Sequence, residues 1–434
     1  MSLLIKNGRV IDPISNIDEV KDVLIKDHRI AAVAKNIEVA AEKVIDAKGC
    51  WVVPGLIDVH VHLREPGFEY KETIETGSKS AAIGGFTSIC CMPNTNPVID
   101  NTKVVDFILN KASKEAVVKV LPIGTITKGQ LGEELAEIKE MVKRGICGIS
   151  EDGKTVMNSR LMEEALKLAA ELNIPVFSHC EDHALAGKGV MNEGKRSREL
   201  GIQGIPSASE EVIAARDIAL AKDKGAKLHL CHISTKGTVE ILKKGKDEGV
   251  FVTAEVCPHH FALTEEVVTA EDTNTKMNPP LRSQEDVEAI REALRNGIID
   301  MIATDHAPHH EKDKNTSYEK AAFGIVGLET AVALTITELV EEGILTPMQM
   351  IELMSSNPAK LLGIDRGTLG IGKMADITII DPEETYPIDK NQFVSKAKNT
   401  PFHGKKVKGK VKYTIVEGNI IVENGSLIEG GQKI

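Results

Sequence analysis

Between residues 52 and 362, short apolar runs alternate with stretches whose apolar positions recur every three to four residues. Eight runs have strand length: 56–62, 86–92, 118–123, 146–150, 175–179, 228–232, 250–256 and 298–304. Continuous apolar runs separated by helical patterns predict parallel strands covered on both faces. The helical stretches carry their own stop and start signals. Leu135, Ile138 and Val142 share one face, with Gly145 as a terminator, and Leu161, Ala165, Leu168 and Leu172 form a stripe ended by Asn173 and Pro175. Ser207-Ala208-Ser209-Glu210 has capping-box spacing ahead of an apolar stretch that stops at Gly225, and Ser283 precedes Val287, Ile290 and Leu294, with Gly297 closing the pattern. Eight strands alternating with helices predict an α/β fold of the (β/α)8 TIM-like barrel type. The first strand is not followed by Gly-x-Gly-x-x-Gly, which argues against a dinucleotide-binding open sheet.

The two ends of the chain read differently. Residues 1–52 are short β-like runs with turns, including Asn7-Gly8 as a hairpin signal. After residue 362 strand texture returns, with a second hairpin signal at Glu417-Gly418. Lysines alternate with other residues from Val407 to Tyr413, as expected of a solvated strand face. The late strands need partners and the first 52 residues supply them. The expected organisation is a small composite β-sandwich from residues 1–52 and 363–434 around a catalytic barrel at 53–362.

A chain of 434 residues has room for both units. The hydrophobic and charged fractions, 42% and 27%, are those of a globular protein, and the net charge of -11 gives no electrostatic support to nucleic-acid binding. No apolar run approaches the ~20 residues of a membrane span, and the first residues lack a signal-peptide pattern. The seven cysteines are odd in number, without Cys-x-x-Cys. They are expected to be buried thiols in a reducing cytoplasm, neither disulfides nor zinc ligands.

The ends of the predicted strands bring in chemistry. The first strand ends in His60 and His62, which face one side of a strand and can aim two imidazoles at one ion. The fourth runs into Glu151-Asp152-Gly153, the fifth ends at His179, the sixth at His232, and the eighth runs into Asp305-His306-Ala307-Pro308-His309. Catalytic groups of such barrels come from this rim, so imidazoles and carboxylates at five points around it predict a metal centre. Arg64, two residues beyond His62, would point to the same side if the strand continues. Its guanidinium suits a substrate carboxylate.

His60-x-His62, His179, His232 and Asp305 resemble the amidohydrolase superfamily. His62-Leu63-Arg64-Glu65-Pro66-Gly67, Met92-Pro93-Asn94-Thr95, Asn278-Pro279-Pro280-Leu281-Arg282 and Asp305-His306-Ala307-Pro308-His309 resemble, more narrowly, the class I (bacterial-type) dihydroorotases. The resemblance runs over essentially the whole chain. It implies a cytoplasmic enzyme of de novo pyrimidine (UMP) synthesis that reversibly hydrolyses the ring amide of (S)-dihydroorotate to N-carbamoyl-L-aspartate. It implies two Zn²⁺ ions, with His60, His62 and Asp305 on the more buried one, His179 and His232 on the other, and Asp152 bridging them. A metal lowers the pKa of water to about 7 and polarises a carbonyl, which an unstrained amide requires. Asp305 has a second implied role, moving a proton from the attacking water to the departing nitrogen. Arg64, Asn94, Asn278, His309 and the backbone of Phe323 and Gly324 are the implied substrate contacts. His306 is expected to orient a neighbour, and His259 and His260 have no assigned role. The segment 310–315 is a candidate lid. A homodimer and an association with aspartate carbamoyltransferase belong to the same set of implications.

Many amidohydrolases instead bridge their metals with a carboxylated lysine on strand four. That strand has no lysine here and the nearest is Lys154 in the following loop. A hydantoinase or allantoinase is the first rival reading, weakened by that absence and by the Arg-Glu-Pro-Gly context. A non-catalytic partner of aspartate carbamoyltransferase is the second, weakened because every metal-ligating position is filled.

Overall fold

A computed structural model describes residues 2–428; the last part of the expected C-terminal unit, 429–434, lies outside the described residues. Eight parallel strands form the barrel: Leu56–Val61, Phe86–Cys91, Lys119–Pro122 continuing as Gly124–Thr125, Ile149–Ser150, Val176–Ser178, Leu228–Leu230, Val252–Val256 and Met301–Ile302. Each pairs with the next in parallel register. The ring closes where Val61 bridges His306 and the His62 N–H donates to the His306 carbonyl at 2.9 Å. The pattern explains the closure. Strand residues such as Val59, Ile89, Val176 and Leu230 are fully or almost fully buried, because one face packs inside the barrel and the other beneath helices.

The helices end largely where the sequence provides stops. Ser159–Leu172 is closed by Asn173 and Ile138–Arg144 by Gly145, both with left-handed backbone. Ser283 caps Gln284–Arg295 through a full capping box with Asp286. Two expectations fail locally. Leu135 lies outside its expected helix because it pairs with Thr127 in an isolated antiparallel bridge. Ser207 makes no side-chain cap; the buried Glu210 carboxylate accepts instead from the backbone N–H groups of Ser234 (2.9 Å) and Thr235 (3.2 Å). A tertiary demand for a buried acceptor has taken the residue that local capping would use.

Strands from both chain ends join in one nine-stranded sheet whose seam is Ile377–Pro387 antiparallel to Trp51–Pro54. Its core mixes Leu3, Ile5, Val10 and Val52 with Ile377, Ile379 and Ile415. Glu417-Gly418 is the expected tight turn, joining Val416 to Asn419. Asn7-Gly8 is not a turn. It is a bulge inside Ser2–Asp12, with Asn7 at φ 62° and its N–H donating to Asp22. A Cβ on Gly8 would sit 2.4 Å from the Val52 side chain, so the same residue types serve a close strand approach here. Lys408, Lys410 and Lys412 pair with Glu341, Glu383 and Glu384 at the surface, as a solvated face requires. All seven cysteines are free thiols.

Candidate metal centre and substrate cavity

The C-terminal ends of strands one, five, six and eight, with the loop after strand four, converge on one carboxylate. Asp152 Oδ1 lies 3.2 Å from His60 Nε2, 3.9 Å from His232 Nε2 and 4.0 Å from His179 Nδ1, and Oδ2 lies 3.5 Å from His62 Nε2. Asp305 Oδ1 approaches His62 Nε2 at 3.0 Å and His60 Nε2 at 3.5 Å. The structure thus brings together all six expected ligands. Lys154 points away, its ammonium donating to the Gln130 carbonyl at 2.9 Å.

These groups fit a metal. His60 Nε2, which faces Asp152 and Asp305, is buried without a hydrogen-bond partner, a costly state for a polar atom unless a further ligand takes it, and His179 Nδ1 and His232 Nε2 turn toward each other at 3.0 Å beside Asp152. Three overlapping triads have ligand atoms close enough to share ions: His60, His62 and Asp152; His60, His232 and Asp305; and Asp152, His179 and His232. The electrostatics agree. Burial alone would raise the Asp152 carboxyl, but His60, His232 and His62 outweigh it and hold the group well below the usual carboxylate range. Asp305 is lowered for similar reasons, burial again being overcome by His60 and His62. Burial disfavours a charged His60, yet Glu255, Asp305 and Asp152 together favour positive charge at its position. Several buried carboxylates around four imidazoles call for a cation.

The backbone bends to make this arrangement. His232 and Asp305 have φ of 34° and 44°, and Arg64 has φ 61°, a region that non-glycine residues avoid at a cost of about 1–3 kcal/mol each. Arg64 therefore does not face the site by continuing the strand, which ends at Val61. The left-handed turn brings its guanidinium to the Pro308 carbonyl, 3.2 Å from Nε, and within 3.4 Å of His309 Nε2.

A cavity of about 290 Å³ opens over the centre. Arg64, Asn94, Asn278, His309 and Phe323 line it together with Asp152, His179, His232 and Asp305. Its residues are not equally free. Asn94 Oδ1 meets His62 Nδ1 at 2.9 Å and its Nδ2 donates to Asp152 Oδ2 at 3.0 Å, so its amide braces two of the expected ligands. Asn278 Nδ2 donates to both Glu181 oxygens at 3.2 and 3.3 Å. His309 is held well below its ordinary pKa by burial and by the cations Arg64 and Lys71. Lys71 Nζ lies 3.2 Å from His309 Nδ1. Arg64 Nη2 lies 3.4 Å from Nε2 of the same ring, so the neutral imidazole sits between two cations that can only donate. Gly324 sits behind this wall, its N–H donating to the Lys276 carbonyl at 3.0 Å. His306 lies within 3.4 Å of Glu72 and accepts from the Gly327 N–H, contacts that fit the orienting role expected of it. His260 Nε2 meets the Pro279 carbonyl at 2.9 Å.

Three residues that the sequence did not single out support the centre. Glu255, fully buried on strand seven, lies 2.6 Å from His60 Nδ1 and 3.0 Å from His229 Nε2. Asp58 accepts from the His60 and Thr304 N–H groups. Glu181 lies 3.6 Å from His179 Nε2. The available signal was a charged residue inside an apolar strand, as in Val252-Thr253-Ala254-Glu255-Val256.

Comparison with known proteins places this geometry. A family model described as dihydro-orotase-like matches residues 49–238. The dihydroorotase of Acetivibrio thermocellus is 52% identical over 98% of this chain and 100% of its own length, and that of Pelotomaculum thermopropionicum is 54% identical over 98% and 99%. Among solved structures, the L-hydantoinase of Arthrobacter aurescens superposes with a TM-score of 0.89 at 28% identity, covering 99% of this chain and 98% of that one. A D-hydantoinase superposes at 0.88 with 26% identity, over 100% and 97%. The barrel with its β-sandwich is thus shared with hydantoinases, while the sequence kinship over full length is with dihydroorotases. The chain belongs to the dihydroorotase family of the amidohydrolase superfamily.

Proposed function

We propose that this dihydroorotase works through two zinc ions held by His60, His62, Asp305, His179 and His232 and bridged by Asp152, with the substrate carboxylate gripped by Arg64. The reaction is the reversible hydrolysis of the (S)-dihydroorotate ring amide to N-carbamoyl-L-aspartate in de novo pyrimidine synthesis. The observation that supports the metal assignment most is the position of Asp152 within 4.0 Å of all four imidazoles. Neutral imidazoles and carboxylates without thiolate suit catalytic zinc, which when bound supplies Lewis acidity to the amide carbonyl and acidifies water.

The remaining chemistry belongs to side chains. Asp305, ionised beside His62, accepts a proton as water attacks the ring carbonyl carbon. It returns that proton to the ring nitrogen as the C–N bond breaks, and in the synthetic direction the same carboxylate runs the steps backwards. Arg64 offers donors to the carboxylate from the wall that it shares with His309. Asn278 and Phe323 bound the ring. Asn94 keeps His62 and Asp152 in register.

The shape shared with hydantoinases supports a cyclic-amide substrate, and Arg64 at the cavity wall favours one that carries a carboxylate. Turnover of dihydroorotate with Arg64→Met as the control tests this: the variant is expected to lose affinity for dihydroorotate, and equal KM values would contradict it. We read residues 53–362 as the catalytic unit and 1–52 with 363–434 as the composite unit, in a cytoplasmic protein. No described helix is long and apolar enough to cross a membrane. A homodimer and a complex with aspartate carbamoyltransferase are the assemblies to look for by sedimentation.

A further inference from the structure

Behind the wall made by His309 and Phe323, a segment from the C-terminal part of the chain enters the rim. Its Asn399, 4% exposed, spends its whole side-chain amide on that wall. Nδ2 donates to the Ala307 carbonyl at 3.0 Å and to the Gly324 carbonyl at 2.9 Å, while Oδ1 accepts from the His309 N–H at 3.0 Å. The Asn399 carbonyl accepts from the Val326 N–H at 3.0 Å. One residue thus ties the turn carrying His309 to the strip carrying Phe323.

The strip is pinned from its other side by lysines. Lys314 Nζ donates to the Ala322 carbonyl at 2.8 Å and shares the Gly324 carbonyl at 3.1 Å. The Gly324 N–H reaches the Lys276 carbonyl at 3.0 Å. Packing leaves no slack. A Cβ on Gly324, whose φ is 156°, would meet the Ala307 oxygen at 2.5 Å and His309 Cδ2 at 2.7 Å.

We propose that Asn399 is a positioning residue that sets substrate affinity from outside the barrel segment, by holding His309 and Phe323 in fixed positions in one wall of the cavity. The proposal rests on the reading of that cavity as the dihydroorotate site. Asn399 does not line the cavity, so it acts through the two residues that do. The site needs an amide: two donors face carbonyls and one acceptor faces an N–H. Aspartate would turn both donor contacts into repulsion, and alanine would strip the buried His309 N–H of this partner.

The test compares wild type with Asn399→Ala, Asn399→Asp and Lys314→Met, by dihydroorotate kinetics, metal content and amide hydrogen exchange across 305–327. Both Asn399 variants are expected to raise KM about tenfold with kcat within about threefold of wild type. Exchange at residues 322–326 should accelerate and metal content should stay at the wild-type value. Lys314→Met, which releases the same carbonyl from the other side, should shift KM and exchange in the same direction, and it carries the test alone if the Asn399 variants do not fold. An unchanged KM, a fall in kcat at constant KM, or unaltered exchange would overturn the proposal. Wild-type protein inactive on dihydroorotate would instead defeat the reading of the cavity. That outcome is distinct from an active wild type whose KM is indifferent to these substitutions.

Discussion

Glu255 Oε1 lies 2.6 Å from Nδ1 of His60, and both side chains are fully buried. Burial alone would raise the Glu255 carboxyl, but His60 and His229 hold it below its ordinary range. An ionised Glu255 fixes the proton of His60 on Nδ1 and leaves Nε2 as the ligand atom facing Asp152. Glu255→Gln should weaken metal binding about 10- to 100-fold, as loss of such supporting carboxylates does. Chelator titrations of the two proteins check this, and equal metal retention would show that Asp152 and Asp305 suffice to orient His60.

Asp305 sits 3.0 Å from His62 and is expected to carry the proton in addition to holding metal. Asp305→Asn keeps the shape and removes the base. It should lower kcat by about 10²–10⁴-fold with a much smaller effect on substrate affinity. Retained turnover with weakened binding would reassign the proton transfer to another group.

Arg64 commits Nε to the Pro308 carbonyl and turns its outer nitrogens, Nη2 of them 3.4 Å from His309 Nε2, toward the cavity, where they suit a planar two-point grip on a carboxylate. Arg64→Lys keeps the charge and loses the fork, so KM should rise about tenfold or more. A lysine variant with wild-type KM would mean that charge alone is read.

Much of this was legible because barrel strands put their chemistry at their ends. His60, His62, His179, His232 and Asp305 stand where an apolar run stops, and the structure gathers them as that order predicts. Asp152, in the loop after a fourth strand without a lysine, was legible through the family resemblance. What stayed hidden is support reached only through tertiary contact. Glu255 sits inside an apolar strand, where nothing local says that it faces His60. Asn399 is 90 residues from His309 in the chain. Local signals also misled where packing competed for the same atoms: Asn7-Gly8 became a bulge against Val52, and Glu210 left its capping role for Ser234 and Thr235.

Lys314, buried and bonded to carbonyls, has its pKa pushed down to about 7 by burial and by neighbouring Lys276. The unfolded lysine keeps its proton to about pH 10. Between these values the unfolded state binds more protons, so this residue's contribution to stability rises with pH from about 7 to about 10. Below pH 7 both states are protonated and the dependence vanishes. Denaturation of wild type and Lys314→Met at pH 6, 8 and 10 should show the difference between them moving in favour of wild type as pH rises. A constant difference would place the Lys314 pKa near its ordinary value.

The proposed chemistry is hydrolysis of a carboxylate-bearing cyclic amide at a metal centre bridged by Asp152. It is tested most directly by turnover of dihydroorotate, hydantoin and allantoin side by side, with metal analysis, on wild type and Asp152→Ala. Wild type should carry two zinc ions per chain and turn over dihydroorotate far above the other two substrates. Asp152→Ala should lose both metal and activity. Full activity and metal in Asp152→Ala, or preference for hydantoin or allantoin, would contradict it.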